Sequence, residues 1–229
     1  MQETATILKS LGIKNWVIRE NGKVDVDGDV DISNKDLISI PVQFGTVTGN
    51  FWCYDNQLTS LKGAPKKVMG DFWCSDNRLT SLKGAAKKVG GGFDCNCNQI
   101  TSLKGAPVEV GGDFWCYHNR LTNLKGAPAK VGRGFSCSHN QLESLKGAPK
   151  VMGGGFWCHN NQLITLKGAP TKVGGNFGCG HNRLTSLKGA PAEVGGEFWC
   201  QGNLLKSLKG APAKVGGHFR CGDNPLKND

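Results

Sequence analysis

The sequence predicts a mainly β solenoid with one parallel strand per coil, a non-helical back and a helix-and-hairpin cap at the amino terminus. Two observations predict it. The motif Phe-x-Cys-x-x-Asn-x-Leu-x-x-Leu returns every 21 residues without a slip from residue 51 onward. Its phenylalanines run from Phe51, Phe72 and Phe93 to Phe219, and its cysteines from Cys53, Cys74 and Cys95 to Cys221. A strict period of this length marks a stack of coils, each too small to bury its apolar face without its neighbours. The second observation is what fills the period. Twenty-one residues hold a strand and a short extended return, and the bend at Gly63-Ala64-Pro65 has little helix potential. Such an architecture favours binding over catalysis.

The elements follow in order. Residues 3–12 can form one short helix with Leu8 and Leu11 on a shared face. Residues 16–26 alternate apolar and polar around Asn21-Gly22, a strong hairpin signal. Subtracting 21 from the Phe51, Cys53, Leu58 and Leu61 slots gives Val30, Ile32, Leu37 and Ile40, all apolar, so a degenerate first coil spans 26–46. The expected division is therefore a cap over 1–25, that atypical coil, and a regular solenoid over 47–229. Within a coil, Phe72-Trp73-Cys74 alternates in-out-in as a strand and Asn77 ends it. Leu79 and Leu82 return to the core, Val89 dips inward again, and Gly90-Gly91-Gly92 turns into the next strand.

Composition narrows the classes. Glycine is abundant, 34 of 229, but periodic, so it marks turns and not disorder. No stretch approaches the roughly 20 apolar residues of a membrane span, and MQETATILKS lacks the basic start and apolar run of a secretory signal. A cytoplasmic protein with no membrane partner is expected. Nine of the ten cysteines occupy one slot of the repeat and would stack about 4.8 Å apart. Parallel Cβ vectors at that spacing lie beyond the disulfide value of about 3.8 Å. A step of 21 does not suit zinc, so these are read as buried reduced thiols. No metal or cofactor is expected.

The pattern F-x-C-x-x-N-x-L-x-x-L resembles the leucine-rich repeat, and its length and internal Ala-Pro-x-x-Val are similar to the short bacterial type of secreted enteric effectors. More closely, NQLTSLKGAPKKV (56–68) with DVDGDVDISNKDLISIPVQFG (25–45) resembles repeat proteins encoded by tailed bacteriophages. The resemblance covers residues 22–229. It implies a leucine-rich-repeat solenoid, an interaction scaffold without cofactor, and the host cell cytoplasm as location. Those effectors that are ubiquitin ligases carry a separate catalytic domain, for which these 229 residues leave no room.

Four side-chain columns could carry function. The asparagines from Asn56 to Asn224 should point inward and satisfy backbone groups at the turn after each strand. Trp52, Trp73, Trp115, Trp157 and Trp199 fall between the inward Phe and Cys and should face outward on the sheet, which the resemblance makes the concave side. Exposed tryptophans anchor interfaces, and Tyr54, Tyr117, Arg78, Arg120 and Arg183 would add contacts. Stacking of neighbouring indoles along the sheet explains Trp52 beside Trp73, but not the single tryptophans further on. His118, His139 and His181 have no accompanying carboxylate column and are read as a variable contact surface, not a catalytic or metal site.

Lys62, Lys83, Lys104, Lys125, Lys146, Lys167, Lys188 and Lys209 form the fourth column, with a second, interrupted row at Lys67, Lys88, Lys130, Lys172 and Lys214. Residues 47–229 hold 23 Lys+Arg against 11 Asp+Glu, and residues 1–46 hold 5 against 7. The rows read equally well as an anion-binding track or as a solvated edge copied by duplication. The resulting expectation is a non-enzymatic protein that clasps, and through that inhibits, a host defence or regulatory protein. The alternative is a nucleic-acid or nucleotide binder using the tryptophan stripe and the lysine ladders. A homodimer through an uncapped last coil, exposing Phe219 and Leu226, is a further expectation.

Overall fold

The computed structural model describes residues 1–227; Asn228 and Asp229, within the expected solenoid and its expected terminal charges, lie outside it. Helix α1 (Gln2–Ser10) ends in a Schellman turn: Gly12, at φ 72°, donates to Lys9 O and Ile13 donates to Leu8 O. That turn stops the helix short of residue 12 and brings buried Ile13 against buried Leu8.

Strands β1 (Trp16–Ile18) and β2 (Val24–Val26) pair antiparallel, with Trp16 opposite Val26. The connection is a three-residue loop, not a two-residue turn. Gly22 N donates to Arg19 O and Arg19 N to Lys23 O, with Gly22 left-handed at φ 76°. Strand β2 then pairs in parallel with β4 (Phe44–Val47), so the hairpin becomes the first two strands of a sheet that the coils continue.

From there the chain is a parallel-strand solenoid with a 21-residue step. Strand β3 (Val30–Asp31) starts a ten-stranded sheet that runs through Phe51–Trp52, Phe72–Trp73 and their successors to Phe219–Arg220, in sequence order and in register. The valine slot is more than an inward dip. Residues such as Lys67–Val68 and Lys88–Val89 form a second parallel sheet on the return of each coil. It is interrupted once, between Val151–Met152 and Lys172–Val173, dividing it into eight and three strands.

Between the two sheets lies a continuous core. The phenylalanine rings follow one another at 5.0–5.6 Å between centroids, turning from tilted near Phe51 to parallel from Phe93 onward. Cys53, Leu58, Leu61 and their copies through Leu205 are fully enclosed. Each asparagine staples two coils. Asn77 Oδ1 accepts the N–H of Leu58, and its Nδ2 donates to Cys53 O in the preceding coil and to Cys74 O and Ser75 O in its own. The same set recurs from Asn56 to Asn224.

Glycine is required where coils meet most closely. At Gly84 φ is +105°, and an added Cβ would sit 2.5 Å from Leu61 O. At Gly132 the backbone is unstrained, but a Cβ would lie 1.9 Å from Gly111 O.

Candidate functional site

Strand alternation sends Phe and Cys inward and the residue between them outward, and the tryptophans do lie on the outer face of the ten-stranded sheet. They are less exposed than the sequence reading has them. Trp52, Trp73, Trp157 and Trp199 are half-buried, and Trp115, 37% accessible, is the exposed one.

Each ring leans over its neighbours. Trp52 and Trp73 lie 5.8 Å apart between centroids, with Tyr54 6.1 Å from Trp73. Trp157, which has no tryptophan neighbour, lies across two glycines: a Cβ on Gly134 or Gly155 would come within 2.7 Å of its ring. Lateral packing thus extends beyond the Trp52–Trp73 pair. Trp199 Nε1 donates to Glu197 Oε2 at 2.6 Å, whereas the buried Trp52 Nε1 has no partner.

The column is interrupted at Asp94, and there the face opens. A cleft of about 260 Å³ lies between Trp73 and Trp115, lined also by Asp71, Asp113, Arg133 and the glycine corners 90–92 and 111–112. Asp94 is 8% accessible. It accepts Asn96 N at 2.9 Å and Asn96 Nδ2 at 3.2 Å. Burial nevertheless pushes its carboxyl up to about 6, and nearby Asp76 adds to the rise.

Asp71 and Asp113 precede the strand by one residue. Asp71 Oδ1 accepts Gly92 N at 2.6 Å and Asp113 Oδ1 accepts Gly134 N at 2.7 Å. Sequence reasoning places Asp94 in the outward column without a role and does not single out Asp71, Asp113 or Arg133. The available signal was a lone aspartate inside an aromatic column with aspartates 23 and 19 residues to either side. A second cleft, of about 360 Å³, joins Asp113 and Arg133 to Trp157, and a third, of about 230 Å³, joins His159 and His181 to Trp199.

The histidine column has a backbone reason. Asp55, Asp76, Cys97, His118, His139, Asn160 and His181 all sit at φ between 48° and 54°, in the left-handed turn before the asparagine. Short polar side chains and histidine tolerate that region better than branched ones. Cys97 belongs to this column and is exposed, which separates it from Cys95 in the core. His118 and His139 stack at 4.2 Å, and His159 meets His139 edge-on. Burial lowers the pKa of His139 and His159, and the neighbouring imidazoles lower it further. Among the described residues no group of three or more potential ligands could hold a metal.

The remaining candidates lie off this face or at its edge. Tyr117 packs edge-on to His118. Arg78, Arg120 and Arg183 follow the asparagines, with their N–H groups donated to Leu58, Ile100 and Leu163 of the preceding coil; their exposed side chains line none of the three clefts. The eight lysines from Lys62 to Lys209 are exposed on the return segment. The second lysine row belongs to the other sheet and is partly neutralised there. Lys88 pairs with Glu109 at 3.0 Å and Lys172 with Glu193 at 2.6 Å. The core cysteines are free thiols whose pKa burial raises, that of Cys200 to about 12.

Parallel strands at a 21-residue step and an inward asparagine ladder define a leucine-rich-repeat-like repeat protein. Among solved structures it is similar to YopM from Yersinia enterocolitica WA-314, with a TM-score of 0.48 and 16% identity over 86% of this chain and 56% of that one. The chain therefore spans just over half the length of that neighbour. No protein-family model and no curated protein matches it. No helix of the described residues is long and apolar enough to cross a membrane.

Proposed function

We propose that the chain is a non-enzymatic, phage-encoded protein-binding repeat protein that clasps a host defence or regulatory protein with its tryptophan face, in the host cytoplasm, and inhibits it. The observation that carries this reading is the row of five indoles on one sheet face, four of which line clefts. Indoles set in partly enclosed sites are the usual anchors of protein interfaces. The phage-like strings direct the reading to a host target. Nucleic acid is less well supported, since stacking on indoles and neutralisation of phosphate would have to draw on different faces of the solenoid. A second copy of the chain docking on the last coil is a subsidiary reading, because Phe219, Cys221 and Leu226 are only half-buried and Leu208 is exposed. Sedimentation that stays monomeric at high concentration would remove it.

The test of the main reading is a tagged pull-down from bacterial lysate, with and without nuclease, beside a Trp115→Ser/Trp157→Ser/Trp199→Ser variant. Serine already stands in this column at Ser136, so the fold should persist. A discrete protein that survives nuclease and is lost with the variant is the expected result. Equal capture by the folded variant, or material absorbing at 260 nm and lost with nuclease, would overturn it.

A further inference from the structure

The partner's chemistry can be read from the break in the tryptophan column, given that this face binds protein. Trp73 and Trp115 stand on strands two coils apart, about 9.6 Å at the usual strand spacing, with Asp94 between them. Two ring faces in van der Waals contact with one flat group need roughly 7–8 Å, so a modest lean of the indoles closes on a planar guest. Both rings line the same cleft, with Asp94 among its residues.

Charge decides what that guest is. The chain is net +10, yet from residue 29 to residue 115 the outward column and the column just before the strand carry Asp29, Asp31, Asp71, Asp94 and Asp113 and no lysine or arginine. Asp71 and Asp113 each commit Oδ1 to a glycine N–H and leave Oδ2 without a hydrogen bond. The glycine corner offers an anion nothing in return. Gly90 N donates to Val68 O, Gly91 N to Gly70 O and Gly92 N to Asp71 Oδ1. Arg133 is the single cationic side chain in the lining, against three carboxylates.

We infer that the slot between Trp73 and Trp115 receives an arginine side chain from an extended basic segment of the protein partner, stacked between the indoles over Asp94 and hydrogen-bonded to Asp71 and Asp113. A guanidinium suits the slot better than an ammonium. It is planar, stacks on aromatic faces, and spreads five donors toward carboxylates on either side.

The inference rests on the protein-binding reading of this face, and its test is separable from it. A fluorescein-labelled (Gly-Ser-Arg)4 peptide and its (Gly-Ser-Gln)4 counterpart are titrated at low salt, by anisotropy, into the wild type and into folded single variants. The arginine peptide should bind and the glutamine peptide should not. Trp115→Ser and Asp94→Ser should each weaken binding about tenfold. Ile164→Ser, an exposed side chain that lines none of the clefts, should leave it unchanged, and Arg133→Gly should strengthen it about two- to threefold. No binding of the arginine peptide, equal binding of the glutamine peptide, or equal losses at Ile164 and Trp115 would overturn the slot. If a captured lysate protein is lost with Trp157→Ser/Trp199→Ser but kept with Asp94→Ser, the face remains the binding surface and the arginine slot falls.

Discussion

Asn119 Oδ1 accepts the N–H of Ile100 at 2.9 Å, and its Nδ2 donates to Cys95 O at 2.9 Å and Cys116 O at 3.3 Å, all within the core. Asn119→Ala strands a buried N–H and two buried carbonyls, so about 2–4 kcal/mol of stability should be lost in urea unfolding. Asn119→Asp should be worse: a carboxylate keeps the acceptor but cannot donate to either carbonyl and adds a buried charge. Equal stability of all three proteins would contradict the staple. Asp94 shows the opposite balance. Its carboxyl titrates near 6 when folded, against 3.8 for the ordinary group, so the folded state holds the proton more tightly. The contribution of Asp94 to stability is then fullest below pH 3.8 and falls as pH rises to about 6, by about 3 kcal/mol in all. Asp94→Asn should lack this decline, giving a higher melting temperature than wild type at pH 8 but not at pH 4. His139 and His159 slope the other way, favouring the neutral form, but comparison of the two proteins cancels them.

At the scale of the element, the corner glycines and the strands they feed behave as one unit. Gly111, Gly132 and Gly195 each place their α-carbon so near the carbonyl of the preceding coil that a Cβ would lie 1.9–2.2 Å from its oxygen. Gly132→Ala should therefore force adjacent coils apart and lower the melting temperature by more than 5 °C, whereas a Gly→Ala change with free space around it stabilises by about 0.4–1 kcal/mol. Met69 holds the equivalent place one coil before Gly90, and its side chain is exposed. The Phe–Cys–Asn–Leu spacing alone made the strand, the core columns and the asparagine turn legible. The second sheet was not, because a single valine between lysine and glycine carries no alternation from which to read a strand. The left-handed turn was hidden too: Asp76, Cys97, His118 and His139 share a backbone angle but no side-chain chemistry.

Across the whole molecule the columns meant for packing were far easier to read than those meant for contact. Phe, Cys, Asn and Leu repeat because every coil has the same neighbours above and below it, whereas Trp73, Asp94, Trp115 and Arg133 form a cleft because they differ from coil to coil. The 21-residue step already sets Trp73, Asp94 and Trp115 on successive coils, but a difference within a column has no period to mark it, and the structure adds Arg133 and the cleft itself. The same division predicts what a shorter solenoid would do. Deleting residues 177–197 joins Asn176 to Phe198, removes one period, and leaves every remaining ladder in register. Stability in such stacks is close to a sum over coils and their interfaces. The shortened chain should fold, with a urea m-value lower by roughly a tenth, and should bind the arginine peptide as the full chain does. Deleting residues 114–134 instead joins Asp113 to Phe135 and should fold equally well. It replaces Trp115 with Ser136 opposite Trp73, however, and should lose the peptide. If both deletions fold and both retain binding, the slot is not where the arginine sits. If neither folds, the coils are not the interchangeable units that their 21-residue register implies.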